Sequence, residues 1–116
     1  RVIFYGASSE MEKMYQAMDV FLMPSLHEGL PVTGVEAQAS GLPCVFADTI
    51  TKEVDITGHS EFLSLDEAPG VWADKVLAYV ESERKSNKKE LLEAGYDIQQ
   101  TADTVSKLYL EVSQKL

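Results

Sequence analysis

Residues 24–44 read PSLHEGLPVTGVEAQASGLPC, and the breakers and apolar residues around them decide the fold. Just before them, Val20-Phe21-Leu22-Met23 is an apolar run of strand length. Gly29 and Pro31 interrupt any regular structure, so Glu28 belongs to a loop. From Val32 to Ser40 the residues suit a short helix, with Gly41 as its stop and Pro43 just beyond. Cys44-Val45-Phe46-Ala47 then begins another strand. The unit is strand, loop, helix, strand, with two glutamates eight positions apart: Glu28 in the loop and Glu36 in the helix.

Working outward, the same pattern recurs. Val2 to Tyr5 reads as a strand, and Ser9 is placed to cap a helix carrying Met11, Met14, Tyr15 and Met18. After the strand Pro43–Ala47, Asp48 to Gly58 reads as a loop with one helical turn, and Glu61 to Leu65 as a short fourth strand. Asp66 to Gly70 turns into a helix of Val71, Trp72, Val76, Leu77 and Val80. Glu81 to Lys89 mixes both charge signs and reads as a solvated helix end. A helix through Leu91 and Leu92 stops at Gly95, and a last one runs from Ile98 to Gln114 with Val105, Leu108, Tyr109 and Val112 on one stripe. Alternating strands and helices predict an α/β fold with a mostly parallel sheet of about four strands and flanking helices.

The loop and helix around the glutamates have a chemical use. A helix N-terminus offers unpaired N–H groups and partial positive charge, which suits a phosphate or diphosphate. Helical side chains lean toward the N-terminus, so Glu36 points back to that opening, where a carboxylate can accept from ribose hydroxyls. Glu28, one loop earlier, can take the hydroxyls of a second ring. A sugar, a diphosphate and a nucleoside in line make a nucleotide-sugar.

Composition narrows the field. The chain has 116 residues, 45% hydrophobic and 25% charged, which suits one globular domain. A net charge of −9 argues against nucleic acid. No apolar run reaches the length of a membrane span, and Arg1-Val2-Ile3 does not begin a signal peptide. Lacking an initiator Met and opening on a strand, the chain reads as part of a larger protein. His27 and His59 form no metal-ligand spacing with the acids, so neither metal nor other cofactor is expected. Cys44, the single cysteine, falls on a buried strand and suits a reducing cytoplasm.

The stretch Glu28-Gly29-Leu30-Pro31-Val32-Thr33-Gly34-Val35-Glu36-Ala37 resembles the E-x7-E signature of retaining glycosyltransferases of family 4, which have the GT-B fold. Pro24-Ser25, Gly41-Leu42-Pro43, the strand and glycine turn Val2–Gly6, Glu53, and the terminal Tyr96-Asp97-Ile98 and Leu108-Tyr109 extend the resemblance over nearly the whole chain. It is closest to enzymes of exopolysaccharide and capsule assembly. One departure stands out: many members have Gly-Phe-Gly where this chain has Gly29-Leu30-Pro31, and Pro31 has no N–H to offer.

The resemblance implies a partial GT-B C-terminal domain, Rossmann-like, over residues 1–116, with the N-terminal acceptor domain absent. It implies transfer from a nucleotide-sugar, a UDP-sugar above others, to a glycan or lipid-linked acceptor without a metal. Glu28 would hold and polarise the sugar, Glu36 would take the ribose, and Gly29, Leu30, Val32, Thr33 and Gly34 would line the donor site. Two strands would be missing between Val2–Tyr5 and the next strand, together with an arginine and a lysine for the diphosphate. The chain alone would then be inactive, its sheet edge open to self-association, and its parent cytoplasmic and peripheral to the membrane.

Plainer readings stand beside these. Glu36 is also a helix-dipole acid, and the hydroxyl of Thr33 is as well placed to cap a helix as to meet a phosphate. A glycosidase pair is rejected, since its carboxyls must face each other across a bond. A non-catalytic binding module of receiver type lacks support, because Asp19 and Asp48 make no aspartate cluster. A self-associating domain without a ligand remains the other alternative.

Overall fold

The computed structural model describes residues 1–115. Its elements are α1 (Met11–Ala17), β1 (Phe21–Met23), α2 (Val32–Ala39), β2 (Cys44–Ala47), a 3-10 turn (Lys52–Val54), β3 (Glu61–Leu63), α3 (Pro69–Tyr79), α4 (Lys88–Glu93) and α5 (Ile98–Ser113). The strands form one parallel sheet in the order β1-β2-β3. The architecture is α/β, as expected, and the central β1–α2–β2 unit falls where the breakers place it. Gly41 ends α2 at φ +77°, a left-handed conformation that glycine adopts without strain.

Register fixes the two faces of the sheet. Phe21 pairs with Cys44 and Phe46 with Phe62, so these residues share one face. There α2 packs so closely that a Cβ on Gly34 would lie 2.9 Å from the Phe46 ring. Leu22, Val45 and Glu61 share the opposite face. The α3 helix covers that side, its Lys75 and Tyr79 both bonded to the Glu61 carboxylate and its Trp72 donating to the Ser64 carbonyl. Helices on both faces explain why all four residues of β2 are buried, as a central parallel strand requires. Beyond β2 the α3 cover thins, and Leu22 on β1 stays 45% exposed.

Three expectations are corrected. Val2 to Tyr5 forms no strand, and Phe4 is 96% exposed. A strand exists through its partner, and among the described residues β1 pairs only with β2, so Val2–Tyr5 has no strand beside it. The sheet therefore has three strands rather than about four. Ser9 caps nothing: the helix starts after Glu10, which has no side-chain cap bond, while the neighbouring Ser8 hydroxyl accepts from the Glu10 amide. The charged run 81–89 is not a helix end, since residues 82–87 are irregular. The last helix is placed as read, with its stripe of Val105, Leu108, Tyr109 and Val112 exposed. The molecule is elongated, 59 × 29 × 27 Å.

Candidate functional site

The loop at residues 24–31 leaves the C-terminal end of β1 and delivers the chain to α2. In a parallel α/β sheet this edge is where ligands bind. Pro31 stands at the N-cap with φ −74° and is buried, so the helix starts without a side-chain cap. That decides the use of Thr33: it is not the cap, and its hydroxyl is exposed one residue inside the helix. The Gly34 amide donates to the Pro31 carbonyl at 3.0 Å. Among the described residues, the amides of Leu30, Val32 and Thr33 meet no acceptor. Of the amides at Leu30, Val32, Thr33 and Gly34, three are thus open. Gly34 is buried and serves the helix–sheet contact.

Each glutamate is held by a hydroxyl. Ser25 Oγ donates to Glu28 Oε1 at 2.9 Å, and the Ser25 carbonyl accepts from Thr49 Oγ1 at 2.7 Å. The loop after β2 therefore braces the loop carrying Glu28. Tyr15 of α1 donates its phenol to Glu36 Oε2 at 2.9 Å. Burial first, then the hydrogen bond and the negative charge of Glu36, push the Tyr15 pKa up to about 12, so the phenol stays protonated and remains a donor. Glu36 is otherwise exposed, and Glu28 partly so. Gly29 has no atom within 4 Å of a built Cβ and Leu30 is 42% exposed, so the mouth of the site is open.

Reading the sequence alone passed over several supports. Tyr15 belongs to the core, and its hydroxyl reaches a site residue 21 positions away. Gln38 is buried and fully paired: its amide nitrogen donates to the carbonyls of Gly34 and Val54, and its oxygen accepts from the amides of Ile56 and Thr57. It fastens the segment 54–57 to α2. Its position four residues after Gly34 was the available signal, since that spacing points it at the sheet. Lys52 lies with its ammonium 3.2 Å from the centre of the Phe62 ring, and Glu53 is exposed. A cavity of about 190 Å³ lined by Leu42, Cys44, His59, Tyr79 and Lys85 lies at the start of β2, and neither Glu28 nor Glu36 lines it. Among the described residues no group of three or more His, Cys, Asp or Glu side chains converges as metal ligands would.

A parallel sheet with helices on both faces, and a loop-to-helix turn at its C-terminal edge, makes this a Rossmann-like α/β domain. Residues 1–82 match the family described as Glycosyl transferases group 1, and the chain belongs to that family. It is 43% identical over 112 residues to the candidate glycosyltransferase EpsF of Bacillus subtilis (strain 168), covering 93% of this chain and 29% of that protein. It is 26% identical over 121 residues to an Escherichia coli protein named UDP-Gal:alpha-D-GlcNAc-diphosphoundecaprenol alpha-1,3-galactosyltransferase, covering 97% of this chain and 30% of that one. Against the Vi polysaccharide biosynthesis protein VipC/TviE of Salmonella typhi the identity is 38% over 82 residues, covering 70% of this chain and 14% of that protein. The chain thus spans less than a third of the length of these curated relatives. No solved structure gives a significant match. Among the described residues no helix is long and apolar enough to cross a membrane.

Proposed function

We propose that this chain is the donor-binding part of a retaining, metal-independent glycosyltransferase that uses a nucleotide-sugar, a UDP-sugar above others, in polysaccharide assembly. The observation that carries the reading is the pair of hydroxyl-held glutamates, Ser25–Glu28 and Tyr15–Glu36, flanking the open amides of Leu30, Val32 and Thr33. In this reading Glu28 holds and polarises the transferred sugar, with Gly29 giving it room. The amides of residues 30–33 and the positive end of α2 take the diphosphate, and Glu36 takes the ribose. Gly34 contributes by letting α2 approach the sheet. The acceptor oxygen attacks the anomeric carbon on the face from which the nucleotide leaves. The bond from that carbon to the diphosphate breaks, and the departing phosphate takes the acceptor proton. Stabilising the charge on that phosphate is the main catalytic task.

The E. coli relative's name specifies a UDP-sugar and a diphosphoundecaprenol-linked acceptor, and a Campylobacter jejuni relative 40% identical over 47 residues also names a diphospho-undecaprenol substrate. By extension the acceptor here is lipid-linked or a glycan, bound outside this chain at the cytoplasmic face of a membrane, and the chain alone binds donor without turning it over. The unpaired edge of β1 is the surface through which two copies would associate. The test is ligand-observed NMR with UDP, GDP and their sugars, repeated on Glu36→Ala. Saturation of ribose protons that is lost in the variant is the expected result. Ribose contact that survives the substitution unchanged would overturn the assignment of Glu36.

A further inference from the structure

The α1 helix is seven residues long, without a side-chain cap at its start or a basic residue in its last turn. Alone, such a helix frays. It is nevertheless the element that meets Glu36, through a Tyr15 only 2% exposed. The Tyr15 ring stands edge-on to Phe21 at 6.2 Å, and Phe21 edge-on to Phe46 at 6.1 Å, so the ring is seated against the sheet. The missing C-terminal partner of α1 comes from the irregular segment before α4. The Arg84 guanidinium donates to the carbonyls of Tyr15 at 3.0 Å, Gln16 at 2.9 Å and Met18, and also to Ser40 at the end of α2 at 3.2 Å. One cation thus closes the C-terminal ends of both helices, the one bearing Tyr15 and the one bearing Glu36. None of its contacts is to a carboxylate.

We propose that Tyr15 is the positioning residue of the nucleotide-ribose subsite, fixing the Glu36 carboxylate before the ligand arrives, and that Arg84 holds Tyr15 in place by clamping α1 to α2. The inference rests on the assignment of Glu36 to the ribose and deepens it. A glutamate in water samples many rotamers, and a ligand that uses it must first freeze one. The buried phenol does that freezing in the free protein. Removing the hydroxyl should weaken ribose recognition about three- to tenfold, the cost of immobilising one rotamer-rich side chain expressed as an affinity ratio.

The experiment is calorimetric binding of UDP and of GDP to the intact protein, each against its 2′,3′-dideoxy counterpart. The readout is the affinity ratio of ribo to dideoxy ligand. Wild type should prefer the ribonucleotide, and Glu36→Gln should lose most of that preference. Tyr15→Phe, which keeps the ring against Phe21, should lower the ratio three- to tenfold and leave the dideoxy affinity unchanged. Arg84→Lys, which keeps the charge and loses the planar fork, should lower it in the same direction, and it decides the matter alone where Tyr15→Phe does not fold. Equal loss for both ligands in Tyr15→Phe would mean a packing role only and would overturn the inference. So would a wild-type ratio in Tyr15→Phe beside a collapsed ratio in Glu36→Gln, which leaves the ribose assignment standing. A wild-type protein with no preference would remove that assignment and the inference together.

Discussion

Gly34→Ala tests the contact on which the site is built. A Cβ at position 34 would lie 2.9 Å from Phe46 Cε1, 2.9 Å from Val54 Cγ2 and 3.0 Å from Phe46 Cζ. Comfortable carbon contacts are about 3.5–4.0 Å, so the helix or its neighbours must move by more than about half an ångström. Neither neighbour is free to give. The Phe46 ring is fully buried between Phe21 and Phe62, at 6.1 and 5.5 Å, and Val54 is buried with its carbonyl bonded to Gln38. Overpacking of this kind costs about 1–3 kcal/mol. Against it stands the helix propensity of alanine over glycine, up to about 1 kcal/mol. The net is a loss of up to about 2 kcal/mol. Gly70→Ala in α3 is the control, because no atom lies within 4 Å of its built Cβ and only the propensity gain remains, about 0.5–1 kcal/mol. Urea unfolding followed by Trp72 fluorescence compares the midpoints at constant slope. Opposite signs for the two substitutions are expected. A Gly34→Ala chain stabilised as much as Gly70→Ala would refute the close approach.

Three further outcomes follow from buried groups. Gln38→Leu takes the acceptor from the Thr57 amide and leaves the Ile56 amide and Val54 carbonyl with their mutual bond at 3.0 Å, so the urea midpoint should fall by the equivalent of about 1–3 kcal/mol; an unchanged midpoint goes against the bonding described. Burial, with a smaller contribution from Asp55, pushes the Cys44 thiol up to about 12, and the residue is 1% exposed, so a thiol reagent at pH 8 should label it only in step with unfolding; labelling of the folded chain at the rate of a free thiol is the contrary result. The Tyr15 pKa, raised from 10.0 to about 12, has a defined sign. Below pH 10 both folded and unfolded chains keep the proton and stability is intact; between 10 and 12 the unfolded phenol ionises first, and stability falls by up to about 2–3 kcal/mol. Tyr15→Phe should flatten that part of the alkaline curve, and an unchanged slope would count against the buried donor.

The β1–α2–β2 unit was legible because its signals are local. Glycine and proline at 29, 31, 41 and 43 stop regular structure wherever they fall, and the apolar runs between them bury on any α/β sheet. The observed bounds, Phe21–Met23, Val32–Ala39 and Cys44–Ala47, lie within a residue of those read from the sequence. Val2–Tyr5 carries an equally good local signal and forms no strand, since pairing is decided by a neighbour that the sequence of the segment does not mention. The site divides along the same line. Both glutamates and the helix start could be read, but their supports could not. Tyr15 lies 21 residues from Glu36, Thr49 lies 24 from Ser25, and Arg84 lies 66–69 from the carbonyls of α1 that it binds. A charged run such as 81–89 reads as solvated surface until the fold brings helix ends beside it.

Charge has the last word on how the site works. On the proposed reading a diphosphate must bind beside two carboxylates on a chain of net charge −9. The start of α2 offers the equivalent of about half a positive charge, which does not balance that anion. The chain's own cations are largely committed elsewhere. Arg84 is spent on helix carbonyls, Lys75 is 3.0 Å from Glu61, and Lys13 pairs with Glu10. Lys85 belongs to the far end of α2, where its carbonyl lies against Gly41. Among the described residues Lys52 alone follows the same strand ends as the site, and its ammonium rests on the Phe62 ring. An exposed cation–π contact is worth about 0.5–1 kcal/mol, so Lys52 could leave the ring for a phosphate at small cost. One lysine and one helix end still fall short of a diphosphate. The domain therefore contributes shape and hydrogen-bond geometry, through hydroxyls that hold each carboxylate. On this reading the diphosphate needs more positive charge than the described residues place beside it.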